Sequence, residues 1–231
     1  MKTVGIIGGV GPESTIDYYR LIIAAYREQK PDGSYPPIII NSIDLKKVLG
    51  MMEANDLTVL TDHLVDELQK LARAGADFGL LASNTPHIVF DALQRRSPIP
   101  VISIVEVTCE AAKSLCLKRL GLFGSRFTMQ GRFFPEVFSR QGIRLVSPNE
   151  DERTYIHDRY MGELVKGIFL PETRAGLLKI VDRMKQQEGI EGLILGGTEL
   201  PLILRDAPDC GIPFLDTAKI HVKAVVARLL S

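Results

Sequence analysis

The sequence is poor in the features by which several classes of protein declare themselves. Its 231 residues include only three cysteines, Cys109, Cys116 and Cys210. That odd number, with neither metal-type nor redox-type spacing, points to reduced thiols and a cytoplasmic protein. An excess of charge is also missing: Lys+Arg and Asp+Glu each number 28, and no Lys/Arg-rich run breaks the chain. No global or local field therefore favours nucleic acid or an anionic membrane surface, and a small ligand is the expected partner. Long apolar runs are absent too. The stretch Val4–Gly9 after Met1–Thr3 is too short and glycine-rich for a signal peptide, and nothing later is long enough for a bilayer span. His63, His157 and His221 lack ligand spacing, so no metal is expected.

What is present is an alternation. Short runs rich in Val, Ile and Leu lie at Thr3–Ile7, Pro37–Ser42, Phe78–Ala82, Val101–Ile104, Arg119–Phe123, Arg144–Ser147, Gly192–Leu195 and Pro213–Leu215. Continuous apolar strands suit a parallel sheet covered on both faces. Helical periodicity fills Thr15–Gln29, Leu57–Ala74, Ile104–Leu117, Met129–Gln141, Arg174–Glu188 and Thr217–Leu230. The alternation predicts an α/β fold built from right-handed crossovers. Cys109 and Cys116, seven apart on one apolar helix face, are expected in the core.

The chain also repeats itself faintly. Val4-Gly5-Ile6-Ile7-Gly8 is similar to Leu120-Gly121-Leu122-Phe123-Gly124, and the run from Gly79 to Thr85 is similar to that from Gly192 to Thr198. Gly5 and Gly79 lie 74 positions apart and Gly121 and Gly192 lie 71 apart, so two related halves are expected. In parallel sheets, ligands sit beyond the carboxyl ends of the strands. All four segments end there in small or polar residues, which would line one cleft if the halves face each other.

Each ending has a ligand-binding and a structural reading. The amides of Gly8-Gly9-Val10-Gly11-Pro12, with Gly9 at its centre, would hold an anion or simply form a tight strand-to-helix turn. A dinucleotide fingerprint is a poor match, since Ser14 stands where its third glycine would be. Asn84 and Thr85 would grip an amino or carboxylate group, or cap a helix begun by Pro86. His87 would be a packing residue or a base. Ser125 and Thr128 would bind a carboxylate or cap a helix, and Lys166 would pair with an acidic ligand group or lie exposed. Glu199, just after a buried strand, would be an acid/base or a helix N-terminal carboxylate. Cys210 is expected in an exposed loop over 206–211.

Taken in order, Gly5 to Thr15, Asn84-Thr85-Pro86-His87, Gly196 to Pro201 and the closing Phe214 to His221 resemble the signature segments of the aspartate/glutamate racemase family across the whole chain. The resemblance implies two similar doubly wound parallel-sheet domains with the ligand cleft between them. The first would take 1–98 plus 212–231, with the last helix returning to it, and the second 99–211. It also implies a homodimer and an isomerase that racemises amino acids with no pyridoxal phosphate or other cofactor. One cysteine removes the α-proton and another, on the opposite face, returns one. A thiol suits this because its pKa of roughly 8.5 keeps both forms accessible near neutral pH.

In the family pattern those cysteines precede the Asn-Thr and Thr-Glu pairs, where this sequence has Ser83 and Gly197. Serine needs a neighbouring base to act as one, and glycine has no side chain. The two-cysteine mechanism is excluded with these residues. Two readings follow. The chain is a divergent enzyme moving a proton on a small amino acid or dicarboxylic acid, with Glu199, His87 or a Thr hydroxyl handling the proton, or with a one-base isomerisation or elimination as its reaction. Alternatively it is an inactive paralogue that binds an amino acid or carboxylate. In both, Asn84, Thr85 and Thr198 contact the α-amino and α-carboxylate groups, while Gly9, Ser125, Thr128 and Lys166 are further ligand contacts.

Overall fold

The computed structural model describes residues 1–204 and 210–231. The loop expected at 206–209 lies outside them. Among the described residues, eight strands form two four-stranded sheets in which every pairing is parallel. The first holds β1 (Val4–Gly8), β2 (Ile38–Ser42), β3 (Phe78–Leu81) and β4 (Val101–Ile102) in the order β2-β1-β3-β4. The second holds β5 (Arg119–Gly124), β6 (Arg144–Val146), β7 (Gly192–Gly196) and β8 (Phe214–Asp216) in the order β6-β5-β7-β8. The two orders are the same permutation, as the faint sequence repeat requires. Central strands β1, β3 and β7 are buried throughout, whereas edge strand β2 is partly exposed, which explains why the central runs read as uninterrupted apolar sequence.

Eleven α-helices occur among the described residues. In chain order they are α1 (Pro12–Gln29), α2 (Leu45–Glu53), α3 (Leu57–Arg73), α4 (Phe90–Arg96) and α5 (Ile104–Ser114). They continue with α6 (Arg126–Gln130), α7 (Phe133–Ser139), α8 (Glu150–Gly162), α9 (Pro171–Arg183), α10 (Leu200–Leu204) and α11 (Thr217–Leu230). Local chemistry fixes several starts. Pro12 enters α1 behind Gly11, and Asp44 and Asp56 cap α2 and α3 by accepting from Lys46 and Val59 backbone N–H groups. Asn149 and Glu152 close a capping box on α8. The apolar face of α3, with Leu60, Leu64, Leu68 and Leu71 buried, covers the first sheet.

In each sheet the chain turns back between its two central strands, β1/β3 and β5/β7. Right-handed crossovers on either side of that reversal carry helices to opposite faces, which makes both sheets doubly wound. The carboxyl ends of those central strands are therefore where the fold leaves room for a ligand.

Several boundaries differ from the sequence reading. The chain divides into compact units of 1–104 with 221–231 and of 105–220. β4 pairs with β3 and so belongs to the first sheet, and β8 pairs with β7 and belongs to the second, so both crossings fall later than 98/99 and 211/212. The helix expected over Met129–Gln141 is two helices, because Gly131 takes the extended backbone that ends α6. The helix expected to run to Leu117 stops at Ser114. Cys116 then adopts a left-handed φ of 55° and is exposed, so only Cys109 of that pair is a core residue. The short helices α2, α4 and α10, and the longer α8, were not expected.

Candidate active site

In the first unit the polar strand ends follow β1 and β3. Gly9 has a φ of 82°, and a Cβ there would stand 2.2 Å from the Ile43 carbonyl oxygen, so only glycine fits. Its amide, expected to face an anion, instead donates to Thr15 Oγ1 at 2.8 Å. The structural reading of this turn prevails at Gly9.

After β3, Ser83 and Asn84 are buried, and Thr85 opens a 3₁₀ turn over Thr85–Val89 with Pro86 in its first positions. Asn84 sits at the N-cap position but its side chain makes no capping hydrogen bond, contrary to the capping reading of this residue. His87 is a packing residue. It stacks on Phe90 with centroids 5.1 Å apart, and its Nε2 accepts from the Ile104 backbone N–H at 3.3 Å. Burial first, and the neighbouring His221 second, push its pKa down to about 3, which makes it a poor proton acceptor near neutral pH.

In the second unit the endings follow β5 and β7. Ser125 caps α6, its Oγ accepting from the Thr128 backbone N–H at 3.3 Å, and the two hydroxyl oxygens lie 3.3 Å apart. Both side chains are buried. Lys166 is exposed on the 3₁₀ turn Leu164–Lys166 that follows α8.

The end of β7 carries a buried polar cluster. Thr198 and Glu199 are each 1% exposed. Thr198 Oγ1 donates to Glu199 Oε2 at 3.2 Å, and the Tyr160 hydroxyl donates to the same oxygen. Tyr160 comes from α8, where Ile156, Tyr160 and Leu164 follow one another at helical spacing into the core. Desolvation, then the Glu199 carboxylate, hold the Tyr160 hydroxyl pKa well above its usual value, so the phenol is neutral.

A side chain at Gly197 would meet Tyr160. A Cβ on Gly197 would stand 2.5 Å from Tyr160 Cε2, 2.9 Å from Cζ and 3.0 Å from the hydroxyl oxygen. Tyr160 thus fills the space into which a side chain at 197 would project. Sequence reading did not single it out. Two signals bear on it: a glycine in a buried strand end leaves volume to be filled, and a buried tyrosine needs a partner for its hydroxyl. Neither says that the two requirements meet in one residue.

No thiol lies at either strand end. Cys109 is buried in α5, with its Sγ facing the Val137 carbonyl at 4.0 Å, Cys116 is exposed, and Cys210 lies outside these segments. No group of three or more potential metal ligands occurs among the described residues, and none of their helices is long and apolar enough to cross a membrane.

The class so defined is a two-sheet α/β protein presenting buried polar side chains at the carboxyl ends of its central strands. The chain matches the Asp/Glu/Hydantoin racemase family over residues 7–225 and belongs to it. It is 24% identical to the broad specificity amino-acid racemase RacX of Bacillus subtilis, across 99% of this chain and 98% of that protein. Among solved structures it is similar to an Asp/Glu racemase candidate from Yersinia pestis, with a TM-score of 0.90 and 28% identity over 100% of both chains. It is likewise similar to an aspartate racemase homologue from Pyrococcus horikoshii, with a TM-score of 0.86 and 32% identity over 100% of both.

Proposed function

We propose that this protein catalyses cofactor-independent proton transfer at the α-carbon of a small amino acid or dicarboxylic acid, and that it does so without a thiol pair. The observation that carries this reading is the equivalence of two buried strand ends. Ser83-Asn84-Thr85 follows β3 and Gly197-Thr198-Glu199 follows β7, at matching places in two sheets of identical strand order, in a racemase-family chain. Family membership and the amino-acid specificity named for the Bacillus relative favour an amino acid as the substrate. Asn84, Thr85 and Thr198 supply the donors and acceptors for its α-amino and α-carboxylate groups. Ser125, Thr128 and Lys166 remain contacts for the rest of the ligand.

A serine and a glycine in place of two acid/base groups favour proton exchange over efficient inversion. A group on one face can remove a proton and return it, but it cannot deliver one to the other face. One observation favours the binding-only alternative: Gly197 contributes no side chain, and the space beside it is filled.

Proton NMR in D₂O with a panel of L- and D-amino acids and simple dicarboxylic acids separates the two. Loss of an Hα signal identifies the enzyme and its substrate, and chiral analysis shows whether inversion accompanies exchange. No exchange with folded protein, together with calorimetric binding of a panel member, would establish the binding protein instead.

A further inference from the structure

We propose that the Tyr160 hydroxyl, backed by Glu199, is the proton-carrying group on the Gly197 side of the active site. This rests on the reading of the chain as an α-proton-transfer enzyme and names the group that reading leaves open.

Three observations converge. The hydroxyl oxygen lies 3.0 Å from where a Cβ on Gly197 would be, so it occupies the neighbourhood of any side chain that position would carry. It is bonded to Glu199, which also accepts from Thr198, and all three side chains are nine-tenths or more buried. The pair comes from two different elements, α8 and the segment before α10, yet meets at the end of a central strand. A phenol both donates and accepts, so it can exchange one proton for another while staying neutral.

The step balances without a cofactor. The substrate Cα–H bond breaks and its proton forms a bond to Tyr160 Oη as the original hydroxyl proton passes to the Glu199 carboxylate. The electron pair left on Cα delocalises into the substrate's own carboxylate. Reversal returns a proton from Oη to Cα and one from Glu199 to Oη. No free phenolate accumulates, in keeping with a hydroxyl that resists ionisation. Glu199 is the reservoir through which solvent deuterium enters. Because the same oxygen removes and returns the proton, deuterium is incorporated with retention faster than the enantiomers interconvert.

The test compares wild type, Tyr160→Phe and Glu199→Gln by proton NMR in D₂O on the amino-acid panel, with binding followed by calorimetry and folding by circular dichroism. Removing a positioned acid/base group costs about 10²–10⁴ in rate. Tyr160→Phe keeps the ring that fills the Gly197 side, so it is expected to fold, to bind within about threefold of wild type and to lose at least 100-fold in exchange. Glu199→Gln keeps the shape of the carboxylate and is expected to lose exchange likewise, which covers the case in which Tyr160→Phe does not fold. Wild-type exchange persisting in Tyr160→Phe overturns the assignment of Tyr160 while leaving the enzyme reading intact. A wild-type protein that binds but exchanges nothing overturns that reading and this inference together.

Discussion

Tyr18 and His221 meet inside the first unit with Oη and Nδ1 2.8 Å apart, an edge-to-face pair joining α1 to the last helix. His221 Nε2 faces the Ile102 carbonyl at 3.0 Å. A carbonyl only accepts, so Nε2 carries the proton and Nδ1 accepts from Tyr18. The ring is thus a neutral imidazole with both nitrogens used.

That arrangement predicts how stability depends on pH. Burial lowers the pKa of His221 to about 4, and burial and His221 together lower that of His87 to about 3, from an unfolded value of 6.5. A depressed folded pKa means that the unfolded chain binds protons first. Stability from these rings is complete above pH 6.5 and falls as pH drops towards the folded pKa values. Each ring contributes a slope of about 1.4 kcal/mol per pH unit in that window. His63 and His157 are shifted in the same direction and add to it. Urea unfolding between pH 7 and pH 5 is expected to show this loss, and His221→Gln to flatten the curve. A pH-independent midpoint across that range would contradict the neutral, buried state.

Restoring the family's two thiols is the obvious experiment from sequence, and the structure changes its expected outcome. Ser83→Cys exchanges the hydroxyl oxygen for a larger sulfur at a site 8% exposed and is expected to fold like wild type. Gly197→Cys drives a Cβ into the ring of Tyr160. Overpacking of this kind costs about 1–3 kcal/mol. Tyr160→Ala destabilises by leaving a cavity, which the new cysteine partly fills. The Gly197→Cys/Tyr160→Ala double variant is therefore expected to be at least about 1 kcal/mol more stable than the two single costs add up to. Racemase activity is expected only when Ser83→Cys is added to that pair. Additive costs in the cycle would show that the two positions do not compete for space.

The architecture was legible because its signal is redundant. Eight apolar runs, each bounded by turn residues, mark all eight strands, and the Gly5/Gly79 and Gly121/Gly192 spacings announce two sheets of one topology. Elements held by capping and packing rather than by a wide apolar stripe were not legible. α8 is such a case, being charged along most of its length with Ile156 and Tyr160 as its buried residues. The strand-end candidates Ser83, Asn84 and Gly197 to Glu199 could be read because strand ends are marked locally. Tyr160 could not, because its contact with Glu199 spans 39 positions and nothing near it in sequence records the partner. Likewise, the sequence shows an amide at Gly9 but not that Thr15 takes it.

Gly9 itself carries a stability prediction. Its φ of 82° disfavours any side chain, and the Ile43 carbonyl blocks the Cβ position at 2.2 Å. Relief requires moving the backbone that follows β2, whose Ile43 N–H bonds to the Gly8 carbonyl at 2.9 Å. Gly9→Ala is expected to cost about 3 kcal/mol, combining left-handed strain with steric clash. A urea midpoint equal to wild type would show that this turn yields without penalty.

Asn84 and Ser125 offer a paired test that separates binding from capping. Ser125 holds a cap bond to Thr128, so Ser125→Ala is expected to lower stability by about 1 kcal/mol. Asn84 occupies a cap position without making the capping hydrogen bond, and it stands at the buried end of β3 beside Thr85. Losing a hydrogen bond to a charged group costs about 1.5–3 kcal/mol, or roughly a tenfold to hundredfold loss of affinity. Asn84→Ala is thus expected to weaken binding of L-aspartate, L-glutamate or L-alanine, whichever the wild type binds, by at least tenfold in calorimetry. Unchanged affinity for the same compound would remove Asn84 from the site and shift recognition to Thr85 and Thr198. A loss matched by a fall in the unfolding midpoint would mean that Asn84 shapes the 3₁₀ turn rather than touching the ligand, and Thr85→Val, on the partly exposed side of that turn, would then report the direct contact.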